Sequence, residues 1–322
     1  MRDARRSTAP ATFGRYQTLL RIAAGGMAEV YAARALGEAG FEKLVAVKRM
    51  LPHLADDERF ATMFMDEGRL AAHIDSPHVV STIDLGRADD GSFFLVMELV
   101  IGTTLSVLLR NAAARSEPIP IGAACEMVAQ AAQGLHDAHE ARTPLGAPLE
   151  LVHRDVSPQN ILCGLDGRVR ITDFGVARAV LRRTKSNTGE LKGKLSYFSP
   201  EQCKNQLLDR RSDIFALGVV AWEALTCRPL FQSENPLAVL DRVMQMPIPA
   251  VSAVRAEVAE PISAVVARAL ERDRERRFQT AYEFASALRR AAVESLGSVD
   301  PRSISSLVER LGATSSIVSV DR

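Results

Sequence analysis

Little in the sequence would staple the chain or anchor it. Four cysteines, Cys125, Cys163, Cys203 and Cys227, lie far apart with no C-x-x-C pair, which excludes a small disulfide framework and fits a reducing compartment. Charge of one sign is missing too. Forty Lys+Arg stand against 39 Asp+Glu, net +1, so the chain lacks the overall electrostatic footprint of a nucleic-acid binder or a polybasic membrane protein. The most apolar stretch, 214–225, is interrupted by Glu223 and falls short of the roughly 20 apolar residues that a spanning helix needs. The run 1–10 holds three arginines with no apolar segment behind them, unlike a secretory signal. No fixed-period repeat is visible. These absences lead us to expect a cytoplasmic protein with no membrane span and no nucleic-acid partner.

What is present is ordinary globular material, 322 residues with 47% hydrophobic and 25% charged. That excludes disorder as the main state, and at about 100 to 200 residues per domain it suggests two lobes. Short β-like runs punctuated by glycine fill 16–23, 28–35, 44–50, 79–85 and 93–99. One helical stretch, 57–73, places Phe60, Met63, Phe64, Glu67 and Leu70 at helical spacing. Beyond Gly102 the text turns to longer Ala/Leu/Val-rich helices over 123–140, 212–226, 236–244, 262–271 and 281–293. The expected fold is therefore α+β and bilobal, a small β-sheet lobe with one helix (about 15–100) and a larger, mainly helical lobe (about 101–293). A flexible N-terminal tail (1–14) precedes them, and a C-terminal tail (294–322) follows with one short helix near 304–311. Polar and charged residues concentrate in 152–201, where chemistry is expected. The insert 142–151, with Pro144, Gly146 and Pro148, reads as a hairpin-like loop.

Several separated motifs occur in one order. Val45-Ala46-Val47-Lys48 ends a β-branched run with a lysine whose stem is held rigid, and Glu67 lies on the following helix. Then come His153-Arg154-Asp155-Val156-Ser157-Pro158-Gln159-Asn160, Asp173-Phe174-Gly175 and Ser199-Pro200-Glu201. The ordered set resembles the protein kinase superfamily, over residues 15–293. Details such as Gly25-Gly26-Met27-Ala28-Glu29-Val30-Tyr31 and Ser199-Pro200-Glu201-Gln202 resemble the bacterial, eukaryotic-like serine/threonine kinases.

The resemblance implies an enzyme that moves the γ-phosphate of ATP, with Mg²⁺, to serine or threonine hydroxyls of protein substrates, chemistry that rests on positioning and charge neutralisation. Asp155 would accept the hydroxyl proton. Asn160 and Asp173 would ligate the metal through hard oxygens, and Lys48, aimed by Glu67, would clamp the α- and β-phosphates. Ile22, Ala23, Ala24, Gly25 and Gly26 would cover the phosphates. Met97, Glu98 and Val100 match the gatekeeper and hinge, while Val30, Ala46 and Leu162 would enclose adenine. Glu201 and Arg277 match a buried structural ion pair, and Asp213 would tether the catalytic loop. The alternative reading is a pseudokinase serving as a nucleotide- or partner-binding scaffold.

Two departures stand out. The phosphate-covering loop has Ala23 and Ala28 where the family usually has glycine, and alanine disfavours positive φ, so a less pliant loop is expected. The family's catalytic-loop lysine, two places after the base, is here Ser157, and the hydroxyl residue six places before the proline of Ser199-Pro200-Glu201 is here Lys194. The expectation is an exchange, with Lys194 restoring positive charge beside Asp155 and Ser157 returning the hydroxyl. Arg154 before Asp155 implies an activation segment ordered by phosphorylation, with Thr188, Ser186 and Thr184 as acceptors, and self-association would permit this in trans. A metal site from His136, His139 and His153 is disfavoured, since no fourth ligand is ordered beside them.

Overall fold

In the computed structural model, residues 12–174, 193–300 and 302–312 are described. The chain divides into two compact units. One holds the residues up to Ala72 together with Ser81–Leu99, and the other holds His73–Val80 with Val100 onward.

The first unit is an antiparallel six-stranded sheet in the order β1-β2-β3-β4-β6-β5, with β1 Thr12–Phe13, β2 Tyr16–Ala24, β3 Ala28–Leu36, β4 Glu42–Met50, β5 Thr82–Arg87 and β6 Phe93–Glu98. Strand β1 falls within the stretch expected to be a loose tail. Its Phe13 is buried against Phe94 and Tyr31 with the Arg49 guanidinium over its ring, so an aromatic anchor fixes it. Alternate residues Ala33, Val45, Val47 and Val96 fill the same small core. Helix α2, Glu58–Ala71, opens with Asp57 accepting the Arg59 N–H and buries Ala61, Met63, Phe64, Glu67 and Ala71. Gly68 permits its close approach to the sheet, because a Cβ there would sit 2.7 Å from Leu95 Cδ1. That approach brings the neighbouring Glu67 down to β4.

Residues 73–80, read from sequence as part of the small lobe, belong to the second unit. Their polar groups decide this: the Val80 N–H donates to Ile171 O (2.9 Å), the Ile171 N–H donates to His78 O (2.9 Å), and Ser76 Oγ meets Asp137 Oδ2 at 2.5 Å. Gly134 lets this segment pass, since a Cβ would stand 2.3 Å from His78 O. Strand β5 accordingly begins at Thr82 rather than Val79.

The second unit is built on helix α4, Ile121–His139, and on the helix Arg211–Thr226, in which every residue from Ser212 to Thr226 is buried. Near-complete burial explains why the latter reads as an unbroken apolar run. A three-stranded sheet, β7 Gly102–Thr104, β8 Ile161–Gly164 and β9 Val169–Ile171, carries the catalytic loop at its margin. Helix α3, Leu105–Ala114, capped by Thr104, was not expected from sequence. The insert at 142–151 is a tight hairpin-like turn, with an Arg142–Pro148 bridge and the Thr143 N–H on Ala147 O at 2.8 Å. No helix among the described residues is long and apolar enough to cross a membrane.

The C-terminal helix Ser303–Gly312 packs as part of this unit. It buries Ile304, Leu307, Val308 and Leu311, and its last carbonyls take Asn111 Nδ2 (to Leu311 O, 2.7 Å) and Arg115 Nη1 (to Arg310 O, 2.9 Å). Leu311→Ala is expected to destabilise the protein by about 2 to 5 kcal/mol through the cavity it leaves. Chemical denaturation checks this, and a loss below about 0.5 kcal/mol would contradict the packing.

Candidate active site

In the first unit the register of β3 on β4 sets Val30 opposite Lys48. Lys48 Nζ meets Glu67 Oε1 at 2.6 Å with both side chains largely shielded from solvent. The ammonium therefore points in one direction, which a surface lysine would not. The loop between β2 and β3 closes with the Gly25 N–H on Ala28 O at 2.9 Å. Neither Ala23 nor Ala28 has positive φ, and Gly25 and Gly26 do not either. The two alanines thus carry no left-handed strain here, because both lie in strand geometry. Ile22, Ala23, Ala24, Gly25 and Gly26 lie mostly exposed along this hairpin, and Ala46 and Met97 are buried facing each other across β4 and β6. The Glu98 N–H is committed to Ser81 O (3.0 Å), and its side chain accepts from the Ser81 N–H.

In the second unit the organising group is Asp213, fully buried near the start of Arg211–Thr226. Its Oδ2 accepts from the His153 N–H (2.8 Å) and meets His139 Nε2 (2.8 Å), and its Oδ1 accepts from the Arg154 N–H (2.8 Å). Burial alone would push this carboxyl up, but His139 and the other donors hold it below the ordinary carboxylate value. The clamp holds Arg154 at φ 65, a left-handed conformation that non-glycine residues adopt at a cost of about 1 to 3 kcal/mol. Gln202 Nε2 donates to Arg154 O at 3.0 Å, fixing the same peptide from the other side. Burial keeps His153 neutral by lowering its pKa. Its Nε2 donates to Thr172 O (3.1 Å) and its Nδ1 faces the Asp155 N–H (3.3 Å), which defines the tautomer. His139 Nε2 and both His153 ring nitrogens are thus engaged around the loop, while the His136 ring lies against Tyr282. Among the described residues no group of three His, Cys, Asp or Glu side chains could hold a metal ion.

Asp155 sits at the far end of this clamp. Asn160 Nδ2 donates to both Asp155 O and Asp155 Oδ2 at 2.9 Å, and Lys194 Nζ donates to the same Oδ2 at 2.9 Å. The Thr172 N–H donates to Asn160 O at 3.0 Å, which brings Asp173 alongside Asn160. Leu162, on β8 just beyond Asn160, is only partly buried. Ser157 departs from expectation. Its Oγ is buried and has no hydrogen-bond partner among the described residues, so the hydroxyl half of the exchange is not formed among them. Gly175 and the candidate acceptors Thr184, Ser186 and Thr188 lie outside the described residues.

Glu201 and Arg277 form a bidentate pair, Nη1–Oε1 2.6 Å and Nη2–Oε2 2.8 Å, with Ser212 Oγ also on Oε1 and backbone oxygens of Arg211, Glu271 and Arg272 taking the other guanidinium protons. Burial acts to raise the Glu201 pKa, but Arg277 and Ser212 hold it low. A second anchor went unread in the sequence. Tyr197 Oη donates to Glu223 Oε2 (2.7 Å), Leu230 N–H donates to Oε1 (3.0 Å), and burial raises the Glu223 carboxyl to about 7. The interruption of the apolar run by Glu223 was the available signal.

The comparisons agree with this geometry. The protein kinase domain family matches residues 16–288, and the chain belongs to that family. Among its relatives are the tyrosine-protein kinase MasK of Myxococcus xanthus, 41% identical over 86% of this chain and 43% of that protein, and the serine/threonine-protein kinase PrkC of Bacillus subtilis, 32% identical over 86% of this chain and 40% of the relative. The chain spans less than half the length of these relatives. The kinase domain of Mycobacterium tuberculosis PknI aligns with a TM-score of 0.65 and 26% identity, covering 88% of this chain and 98% of that one.

Arg277→Met is expected to cost about 3 to 5 kcal/mol by leaving the Glu201 charge buried without its partner, measured by denaturant unfolding. For Glu223, folding raises the carboxyl from its ordinary 4.5 to about 7. Its contribution to stability is complete below the unfolded value and is lost as pH rises through the folded one. Melting temperatures between about pH 5 and about pH 8 should therefore fall more steeply in the wild type than in Glu223→Gln. Parallel curves would refute this.

Proposed function

We propose that the chain is an ATP-dependent protein kinase acting on serine and threonine hydroxyls of proteins, including those of its own activation segment. The observation that supports this best is the convergence on Asp155. A carboxylate held by Asn160 and Lys194, on a loop clamped by Asp213, is oriented to receive a substrate hydroxyl proton. A pseudokinase has no need of such a group.

The nucleotide and metal fit the remaining residues. With Asn160 Nδ2 spent on Asp155, its amide oxygen joins the Asp173 carboxylate as a pair of hard donors, the type Mg²⁺ prefers. When bound there, Mg²⁺ would neutralise charge on phosphate oxygens. Lys48, aimed by Glu67, binds the α- and β-phosphates. Within the first unit the loop 22–26 would cover them, and Val30 and Ala46 would present apolar surface to adenine. Met97 limits depth beside the base, and the backbone of Glu98 and Val100 takes its hydrogen bonds. Arg154 Nε is buried with no hydrogen-bond partner among the described residues, a donor suited to a phosphate on Thr188, Ser186 or Thr184. A second copy of the chain, acting in trans, would supply that phosphate. The cytoplasm, with its ATP, is the compartment in which this chemistry belongs.

Serine and threonine are favoured because Pro158-Gln159-Asn160 keeps the serine/threonine form and PrkC is named for that specificity. MasK is named for tyrosine, so the acceptor needs direct measurement. Incubation with γ-labelled Mg-ATP and a generic basic protein, followed by acid hydrolysis, should yield phosphoserine and phosphothreonine. Asp155→Asn should lower the rate at least about 10²-fold. Phosphotyrosine alone would overturn the acceptor class, and no label on any polypeptide would overturn the kinase reading.

A further inference from the structure

We infer that the cation serving the transferred phosphoryl group comes from the activation segment, as Lys194, and not from the catalytic loop; this rests on the kinase reading above. Ser157, two residues after Asp155, can supply no charge, and its hydroxyl is buried without a partner among the described residues. Lys194 Nζ instead stands 2.9 Å from Asp155 Oδ2, with its side chain about one-fifth exposed. It is close enough to the base to act where substrate oxygen and phosphorus meet, and open enough to be reached.

The lysine is not held by that ion pair alone. Immediately after it, Ser196 Oγ donates to Phe231 O (2.7 Å), and Tyr197 Oη donates to Glu223 Oε2 (2.7 Å) on the buried helix Arg211–Thr226. Ser199 then opens a capping box with Gln202, whose side chain also holds Arg154 O. The stretch from Lys194 to Gln202 is thereby pinned to the same core that fixes Asp155. The two halves of the arrangement arrive by different routes, one through the loop and one through the segment.

In the reaction, the substrate hydroxyl oxygen forms a bond to the γ-phosphorus as the bond from that phosphorus to the bridging oxygen of ADP breaks. The hydroxyl proton passes to Asp155, and ADP leaves with the bridging electron pair. Lys194 keeps its proton throughout and offsets charge on the equatorial oxygens of the transferring group. The cation is present only while the segment is docked, so displacement of residues 194–202 switches off turnover without removing any residue of the catalytic loop.

The test compares steady-state kinetics and nucleotide affinity for wild type, Lys194→Met, Lys194→Arg, Lys194→Thr and Lys194→Thr with Ser157→Lys, with melting temperature as the control for folding. Lys194→Met should lower kcat by about 10²-fold or more and leave the dissociation constant for a fluorescent ATP analogue within about twofold. Lys194→Arg should retain more activity than Lys194→Met. Returning the cation to the loop, in the double variant, should recover at least about tenfold over Lys194→Thr. A Lys194→Met kcat within about threefold of wild type, a parallel loss of nucleotide affinity, or a double variant no faster than Lys194→Thr would each overturn the inference. Wild-type transfer in the same assay separates the readings: without it the kinase reading falls and takes this one with it, and with it only the role of Lys194 is at stake.

Discussion

The second unit depends on one buried anion. The Asp213 carboxylate collects two consecutive backbone N–H groups, from His153 and Arg154, and a histidine side chain. Three donors on one carboxylate repay its desolvation, and they let the loop adopt a left-handed residue at Arg154 that would otherwise relax. Once that peptide is fixed, Asp155 and Asn160 follow within a few residues. The base is therefore placed by a helix buried in the middle of the unit, and loop flexibility has little room to blur it.

A related logic governs the first unit. A lysine on β4 has no fixed direction until Glu67 meets it, and Glu67 does so from a helix that lies close against Leu95 at Gly68. This is packing acting on electrostatics, and it is invisible if each residue is considered alone.

Much of this was legible in the sequence because the informative residues are short-range. Strand alternation, the lysine at the end of a β-branched run and the ordered polar motifs gave the two lobes and most of the site. What was missed depends on partners distant along the chain. Residues 73–80 are β-like in composition, yet hydrogen bonds to His78 and Val80 from across the fold assign them to the other unit. Strand β1 is too short to show a period, and its place is set by Phe13 finding an aromatic pocket. The fate of Ser157, whose hydroxyl is buried without a partner among the described residues, could not be read either.

The terminal helix Ser303–Gly312 has a practical meaning. The family match stops at residue 288, but this helix shields apolar side chains of α3 and of the strand beside the catalytic loop, and closes their polar ends through Asn111 and Arg115. A recombinant fragment cut where the family match ends would present an oily stripe to water and would tend to clump. The working boundary of this catalytic unit is therefore set by shape rather than by kinship, about two dozen residues further along.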